Sequence, residues 1–406
     1  MSPNAWGRLR RSGAILVLTL ISRSACAADV DAAAAAAYFD RLERDGFSGA
    51  VLIEQHGRVL LRHAYGLAND AARVRATPDT VFDLGSITKH FTATAVLLLS
   101  SEGRLNLDDR IDQFFPDVPP DKAAISVRDL LTHSSGLTEH SSDDREPLSR
   151  ADALKRIFAS RLAFAPGHGY HYSNSGYTIA AAIVEVVSGV KYTDFVRDRL
   201  FAPLHLESTG FYGEARFDSK PVAHGYFNGI DEGSSATWPG PYWGPMGNGE
   251  LLSTVDDLAT WHLALRTGAV IPRSLVEAMF TPQVSDGDER YGYGWSIETS
   301  SLGHTITHNG GGIGGNADVA WYPEHELLII VLSNRIDYRV LGSAPFYWNV
   351  RLPATEARAA LAESIASGDY ARYPSPTWPW WNSLAVGCAM IGAFTLSIWA
   401  VIRMLR

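Results

Sequence analysis

Ser86-Ile87-Thr88-Lys89 places a hydroxyl and an amine three residues apart, at the start of a helix-favouring stretch that runs over 87–101 and stops at Gly103. Residues at that spacing share a helical face, so the two groups come within hydrogen-bonding reach. A serine hydroxyl is a weak nucleophile until a base takes its proton. A lysine serves as that base only where desolvation or cationic surroundings lower its pKa, and the positive end of a helix dipole supplies part of that push. The bland alternative makes Ser86 an N-cap and Lys89 a solvated side chain. A second Ser-x-x-Lys, Ser188-Gly189-Val190-Lys191, closes the apolar run 180–187, and there Lys191 reads as a cation at a helix C-terminus.

Two further clusters carry polar chemistry. Tyr172-Ser173-Asn174 follows the turn signal Ala165-Pro166-Gly167 and precedes an apolar helix expected over 176–187, so Asn174 is also an ordinary cap candidate. His308-Asn309-Gly310 ends a strand and enters a glycine run over 310–315. Tyr172 and His308 could polarise a leaving group, and the bare backbone at Gly310, Gly311 and Gly312 permits close approach of a substrate to a strand edge. The glycine run also has the spacing of a dinucleotide fingerprint, but strand-like residues follow where that motif needs a helix. His168 with His171, or His304 with His308, have the spacing of metal pairs. No His-Glu-x-x-His accompanies them, and they read better as satisfied surface histidines. No cofactor and no metal are expected.

These groups need elements to hold them. Residues 31–42 are alanine-rich and helix-favouring, with Asp31 in the first turn, where an acid suits the dipole. The β-rich runs 49–55 and 58–65 flank His56-Gly57 and read as a hairpin. Residues 105–115 read as a polar loop, 126–137 as a capped short helix ending at Gly136, and 139–146 as an acidic surface loop. Residues 225–249, dense in Gly, Pro and aromatics, suit the rim of a pocket or an ordinary packed surface loop. A helix is expected over 255–266, with strands over 293–298, 305–308, 318–322 and 327–332. Strands from both ends and helices from the middle describe a sheet flanked by an all-helical insertion, not an alternating βαβ fold.

With 406 residues, 46% of them hydrophobic and 19% charged, the chain can bury a large core. Its net charge of -9 offers no basic face for nucleic acid. Residues 1–27 have a basic start, an apolar stretch and the ending Ala25-Cys26-Ala27, the layout of a secretory signal peptide. A lipoprotein reading would modify Cys26, but Arg23 stands where an aliphatic residue is wanted, and Arg10-Arg11 raises a twin-arginine route. The other cysteine, Cys388, lies in the tail, so the exported domain would have none. Residues 353–367 read as a charged helix of open attachment and 373–379 as a proline-rich stalk. Residues 383–402 run about 20 residues without a charge, enough to cross a bilayer, with Trp378, Trp380 and Trp381 before them and Arg403 and Arg406 after. The expected plan is a signal peptide (1–27), a periplasmic or extracellular catalytic domain (28–352), a helix and stalk (353–379) and a membrane-anchoring transmembrane helix (380–406). A buried core helix is the alternative for the last.

Taken together, the three motifs resemble the serine β-lactamase and penicillin-binding-protein superfamily, most closely its class C-like branch. They occur in the family's order and at family-like separations. Their flanks agree: Leu130-Leu131-Thr132-His133-Ser134-Ser135-Gly136-Leu137, Pro166-Gly167, Leu251-Leu252-Ser253-Thr254 and Tyr291-Gly292-Tyr293-Gly294-Trp295. The resemblance covers about residues 38–335. It implies an α+β fold, an antiparallel sheet flanked by helices with an all-helical insertion, β-lactamase/transpeptidase-like. It also implies an acyl-enzyme at Ser86, with proton traffic shared by Lys89 and Tyr172. Asn174 would orient Lys89 and the substrate, and the backbone N–H groups of Ser86 and Gly311 would form an oxyanion hole beside Gly310. The chain departs from many relatives in the third motif, where His308-Asn309-Gly310 replaces Lys-Thr-Gly. The expectation is a serine hydrolase acting on a small-molecule or peptide amide or ester. The rival is a penicillin-binding sensor or structural member of the same fold, although only residues 403–406 follow the expected span.

Overall fold

The structure is a computed structural model that describes residues 29–371, apart from 239, 241, 314 and 341–347. Helix α1 (Ala32–Arg44) opens it. Asp31 is its N-cap, one position before the first turn, and accepts a hydrogen bond from the Ala34 N–H at 3.0 Å. Ala35, Tyr38, Phe39 and Leu42, at i, i+3, i+4 and i+7, form its buried stripe. Strands β1 (Gly49–Gln55) and β2 (Arg58–Tyr65) follow as the expected hairpin. Its two-residue loop has positive φ at both His56 and Gly57, the twist that matches flanking antiparallel strands.

The remaining strands of the main sheet come from the second half of the chain: β3 (Val284–Asp286), β4 (Glu289–Tyr291), β5 (Ser296–Ser300), β6 (Gly303–Gly311), β7 (Asn316–Tyr322) and β8 (Leu327–Ser333). All pairs are antiparallel, in the order β3-β4-β5-β6-β7-β8-β1-β2, so β8 meets β1 with Gly49 opposite Ser333. Every residue of β8 is buried, because both faces of the sheet are covered. Alternation decides which side chain goes where. Val51, Ile53, Ile329 and Val331 pack against α1, whereas Leu52, Ile330 and Leu332 join the larger core on the opposite face.

That larger core is built around α2 (Thr88–Ser101), which is buried on nearly all sides. A helix so enclosed has no polar face, in keeping with its run of Thr, Ala, Val and Leu. Phe91 stacks on Trp261 of α5 (Val255–Thr267) at 4.2 Å between centroids. The short helix α3 (Val127–Leu131) carries a capping box between Ser126 and Asp129, and α4 (Asn174–Ser188) ends on Gly189 in the left-handed conformation. The expected extension of α3 to Gly136 does not form; the helix stops at Thr132, and His133 turns with φ +59. The strand expected over 293–298 begins only at Ser296, because Gly294 at φ +81 turns the chain first.

Two expectations about the C-terminal part are settled differently. Helix α6 (Pro353–Ser367) is firmly attached: Ala354, Ala357, Leu361 and Ile365 pack in the same core as α1, and Arg358 bonds Asp318 of β7 at 2.9 Å. The C-terminal transmembrane helix is corrected. Among the described residues no helix is long and apolar enough to cross a membrane, and residues 383–402, like the signal peptide and the stalk, lie outside those described.

Candidate active site

Ser86 sits in a single 3-10 turn (Gly85–Ile87) that feeds directly into α2, after the short strand Phe82–Asp83. The turn is pressed against the end of β6. A Cβ on Gly310 would lie 1.9 Å from the Leu84 carbonyl oxygen and 2.9 Å from the Ser86 nitrogen. Gly85, at φ +49, is equally confined, with the Gly311 backbone 2.7 Å from any Cβ it might carry. The glycines of the third motif therefore let the strand close on the serine turn, in addition to leaving an open edge at Gly311 and Gly312.

Lys89, the second residue of α2, is fully buried. Its Nζ lies 2.9 Å from Ser86 Oγ, 2.6 Å from Asn174 Oδ1 and 3.0 Å from the Asn248 carbonyl oxygen. It also stands over the Tyr172 ring at 4.8 Å from the centroid. Burial pushes the amine down to about 7, against the opposing charges of Asp144, Glu250 and Glu139. Desolvation is thus the main cause.

Tyr172 precedes α4, and Ser173 is that helix's cap, accepting from the Gly176 N–H at 3.0 Å. With the capping done by Ser173, the Asn174 side chain is free to reach Lys89. The Tyr172 hydroxyl bonds Ser86, and burial holds it well above the usual phenol range, so it stays protonated at neutral pH. Ser86, Lys89, Tyr172 and Asn174 thus meet at one point.

His308 lies on β6 and is 4% exposed. Its Nδ1 is 2.5 Å from the Asn309 carbonyl oxygen, which can only accept, so Nδ1 carries the proton. Nε2 then accepts from the Tyr291 hydroxyl at 2.8 Å. Burial and the nearby Lys89 push the imidazole down to about 3. His308 therefore offers substrate neither a charge nor a free ring nitrogen, where a hydrogen bond was expected from it. Arg335, two residues after β8, is committed to Asp70 through two contacts of 2.8 Å. The Arg339 side chain lies outside those described.

Sequence reasoning missed several residues around this centre. Asn248 contributes a backbone carbonyl, which no residue type announces. Glu250, 2% exposed, accepts from the Gly247 N–H at 2.9 Å, and burial raises its carboxyl to about 8. Asp83 is likewise buried and raised, to about 7. Asp144, in the segment read as a surface loop, lines a cavity of about 680 Å³ beside Gly311 and Gly312 with Ile336 and Leu352. Among the described residues no cluster of three His, Cys, Asp or Glu could hold a metal ion.

An antiparallel sheet covered on both faces, with a Ser-Lys pair at the head of the central helix, defines a serine β-lactamase-fold hydrolase. The family model described as Beta-lactamase matches residues 34–341, and the chain belongs to that family. It is similar to penicillin-binding protein 4* of Bacillus subtilis (28% identity, covering 72% of this chain and 69% of that protein). Among solved structures it resembles an octameric penicillin-binding protein homologue from Pyrococcus abyssi (27% identity, TM-score 0.70, 84% of this chain and 78% of that one). It also resembles a D-amino acid amidase from Ochrobactrum anthropi SV3 complexed with D-phenylalanine (25% identity, TM-score 0.69, 83% and 99%).

Proposed function

We propose that the chain is an exported serine hydrolase that forms an acyl-enzyme at Ser86 and cleaves small neutral esters or amides, of the kind D-amino acids form. One observation carries the mechanism. A neutral Lys89 amine has two protons, and two oxygens able only to accept, Asn174 Oδ1 and the Asn248 carbonyl, take them. The lone pair is left for the third neighbour, the Ser86 hydroxyl. Ser86 then gives its proton to Lys89 as Oγ bonds the substrate carbonyl carbon, and the carbonyl electron pair moves to oxygen. The Ser86 and Gly311 N–H groups receive that oxyanion. Tyr172 passes a proton to the leaving nitrogen or oxygen as its bond to carbon breaks, and is reprotonated from Lys89. Water attacks the ester by the same route in reverse.

The acid limb of the rate follows from the Lys89 amine. Because its folded-state pKa is depressed, the base form fills as pH rises through about 7, and kcat/KM for a neutral ester should fall about tenfold per unit below that. A profile flat from pH 5 to 8 would contradict the lysine base.

The substrate preference rests on a neutral His308 and on Arg335 and Arg145, which are committed to Asp70 and Glu232, so that among the described residues no unpaired arginine stands beside the glycine edge for a carboxylate. The chemistry is tested by labelling with a fluorescent phosphonate or penicillin, then comparing a D-phenylalanine amide, a neutral ester and benzylpenicillin. The amide and ester should be turned over faster than the penicillin, whereas labelling by penicillin without turnover would favour a sensor. His308→Lys should shift the kcat/KM ratio toward the carboxylate-bearing substrate somewhat under tenfold, as about 1 kcal/mol of new charge pairing gives. A wild type that prefers penicillins, with a ratio unmoved by the lysine, would refute the electrostatic argument.

A further inference from the structure

Asp83 lies three residues before the nucleophile, and it is buried with no cation paired to it among the described residues. Its Oδ1 accepts from the Gly85 N–H at 3.0 Å, the peptide immediately before that of Ser86. Its Oδ2 is 2.7 Å from the Tyr212 hydroxyl and 3.3 Å from that of Ser235. The same Tyr212 oxygen is 2.9 Å from the Gly249 carbonyl oxygen. The neighbouring carbonyl, Asn248, is the one that accepts from Lys89. The three polar groups in this row must share protons, and counting them leaves one arrangement fully satisfied. A carbonyl only accepts, and a phenol has one proton. If Tyr212 donates to Gly249, its oxygen and Asp83 Oδ2 would face each other with lone pairs only, unless Asp83 is protonated. If Tyr212 donates to Asp83, the Gly249 carbonyl loses its donor.

We propose that Asp83 is a positioning residue that works as a neutral carboxylic acid: its proton starts a chain through the Tyr212 hydroxyl to the Gly249 carbonyl. That chain locks the turn bearing Ser86 to the loop bearing Asn248. The proposal rests on Ser86 and Lys89 being nucleophile and base, and it adds the brace that keeps them in register from behind. Neutrality matters for the chemistry. An ionised Asp83 would set a negative charge against the peptide next to the one that must receive the oxyanion, whereas the neutral acid keeps the hydrogen bond to Gly85 without the charge.

The surroundings favour the proton. The charged groups acting on Asp83 and Tyr212 are Asp144 and Glu250, both acidic. The strand Leu251–Ser253, paired with Asp83 through Leu252, brings no titratable side chain, and neither does Gly312, whose Cβ would stand 3.4 Å from Oδ1. The cavity that Tyr212 lines holds cations, but Arg150 and Arg197 are paired with Glu185 and Glu214, and Lys191 is exposed. Burial accordingly lifts the Asp83 carboxyl to about 7.

Asp83→Asn reproduces the neutral acid: its carbonyl oxygen accepts from Gly85 and its amide donates to Tyr212. In the full-length chain it should keep kcat/KM for a neutral ester at pH 6.5 within about threefold of wild type and lose part of the alkaline fall in rate. Asp83→Ala, and to a lesser degree Tyr212→Phe, should lower kcat by up to about 10²-fold with little change in KM, because the reacting groups drift apart. A second readout needs no catalysis. A carboxyl whose pKa is higher folded than unfolded makes the protein lose stability as pH rises between the two values. The urea midpoint of wild type should therefore decline from pH 4 to 8 more steeply than that of Asp83→Asn. Equal damage from Asn and Ala at pH 6.5, or identical pH slopes of the two midpoints, overturns the proposal. A wild type that turns over no ester or amide and takes no phosphonate refutes the hydrolase reading instead, and the midpoint slopes still decide whether Asp83 holds the proton.

Discussion

Ser86→Ala and Lys89→Ala should each lower kcat/KM by about 10⁴-fold or more, and the double variant should be scarcely worse than either. The reason is geometric. With 2.9 Å between Lys89 Nζ and Ser86 Oγ, the two groups are placed for the one proton transfer proposed above, and removing either would remove that step entirely. Losses that add in free energy would show that the residues act separately. Lys89→Ala also removes a side chain that is wholly buried, so each variant should first be shown to melt cooperatively. Both neighbours of Lys89, Asn174 Oδ1 and the Asn248 carbonyl, would need new donors, and a modest drop in stability is expected alongside the loss of rate.

The second large effect concerns a residue with no side chain. Gly310→Ala puts a carbon 1.9 Å from the Leu84 carbonyl oxygen, a distance no rotamer change relieves because both partners are backbone. Either β6 retreats from the serine turn or the turn moves. We expect a loss of about 3 kcal/mol or more in stability, read from urea unfolding. In protein that still folds, we expect about 10²-fold lower kcat, since the oxyanion hole proposed at the Ser86 and Gly311 N–H groups would be displaced with the strand. A variant as stable and active as wild type would mean that the two segments are not pressed together as described.

Many of the elements were readable because their signals are local. The His56-Gly57 turn, the cap of the short helix at Ser126 and the stop at Gly189 each declare themselves within a few residues. Motif order placed Ser86, Lys89, Tyr172 and Asn174 together through a resemblance, since spacing alone could not join positions so far apart. What stayed hidden depends on the fold. The Asn248 carbonyl is backbone and has no compositional mark. Asp83 and Glu250 look like surface acids until neighbouring strands bury them. The His308 ring was read as free to bond substrate because its partners, Tyr291 and the Asn309 carbonyl, are known only once β4 and β6 are placed. The attachment of α6 turns on Arg358 meeting Asp318, a pairing between elements that sequence periodicity does not reveal.

The meeting of β1 with β8 sets the order in which the molecule can assemble. Gly49 finds its partner, Ser333, only after almost the whole described chain exists. Until then the first hairpin carries a strand that is apolar on both faces and has one bare edge, the kind of surface that recruits other chains. A nascent chain lacking residues 327–333 cannot finish the sheet, so that pairing must wait until most of the chain has been made. The sheet is therefore expected to close late, and a chain truncated before β8 should aggregate more readily than the full chain, measurable by light scattering on refolding.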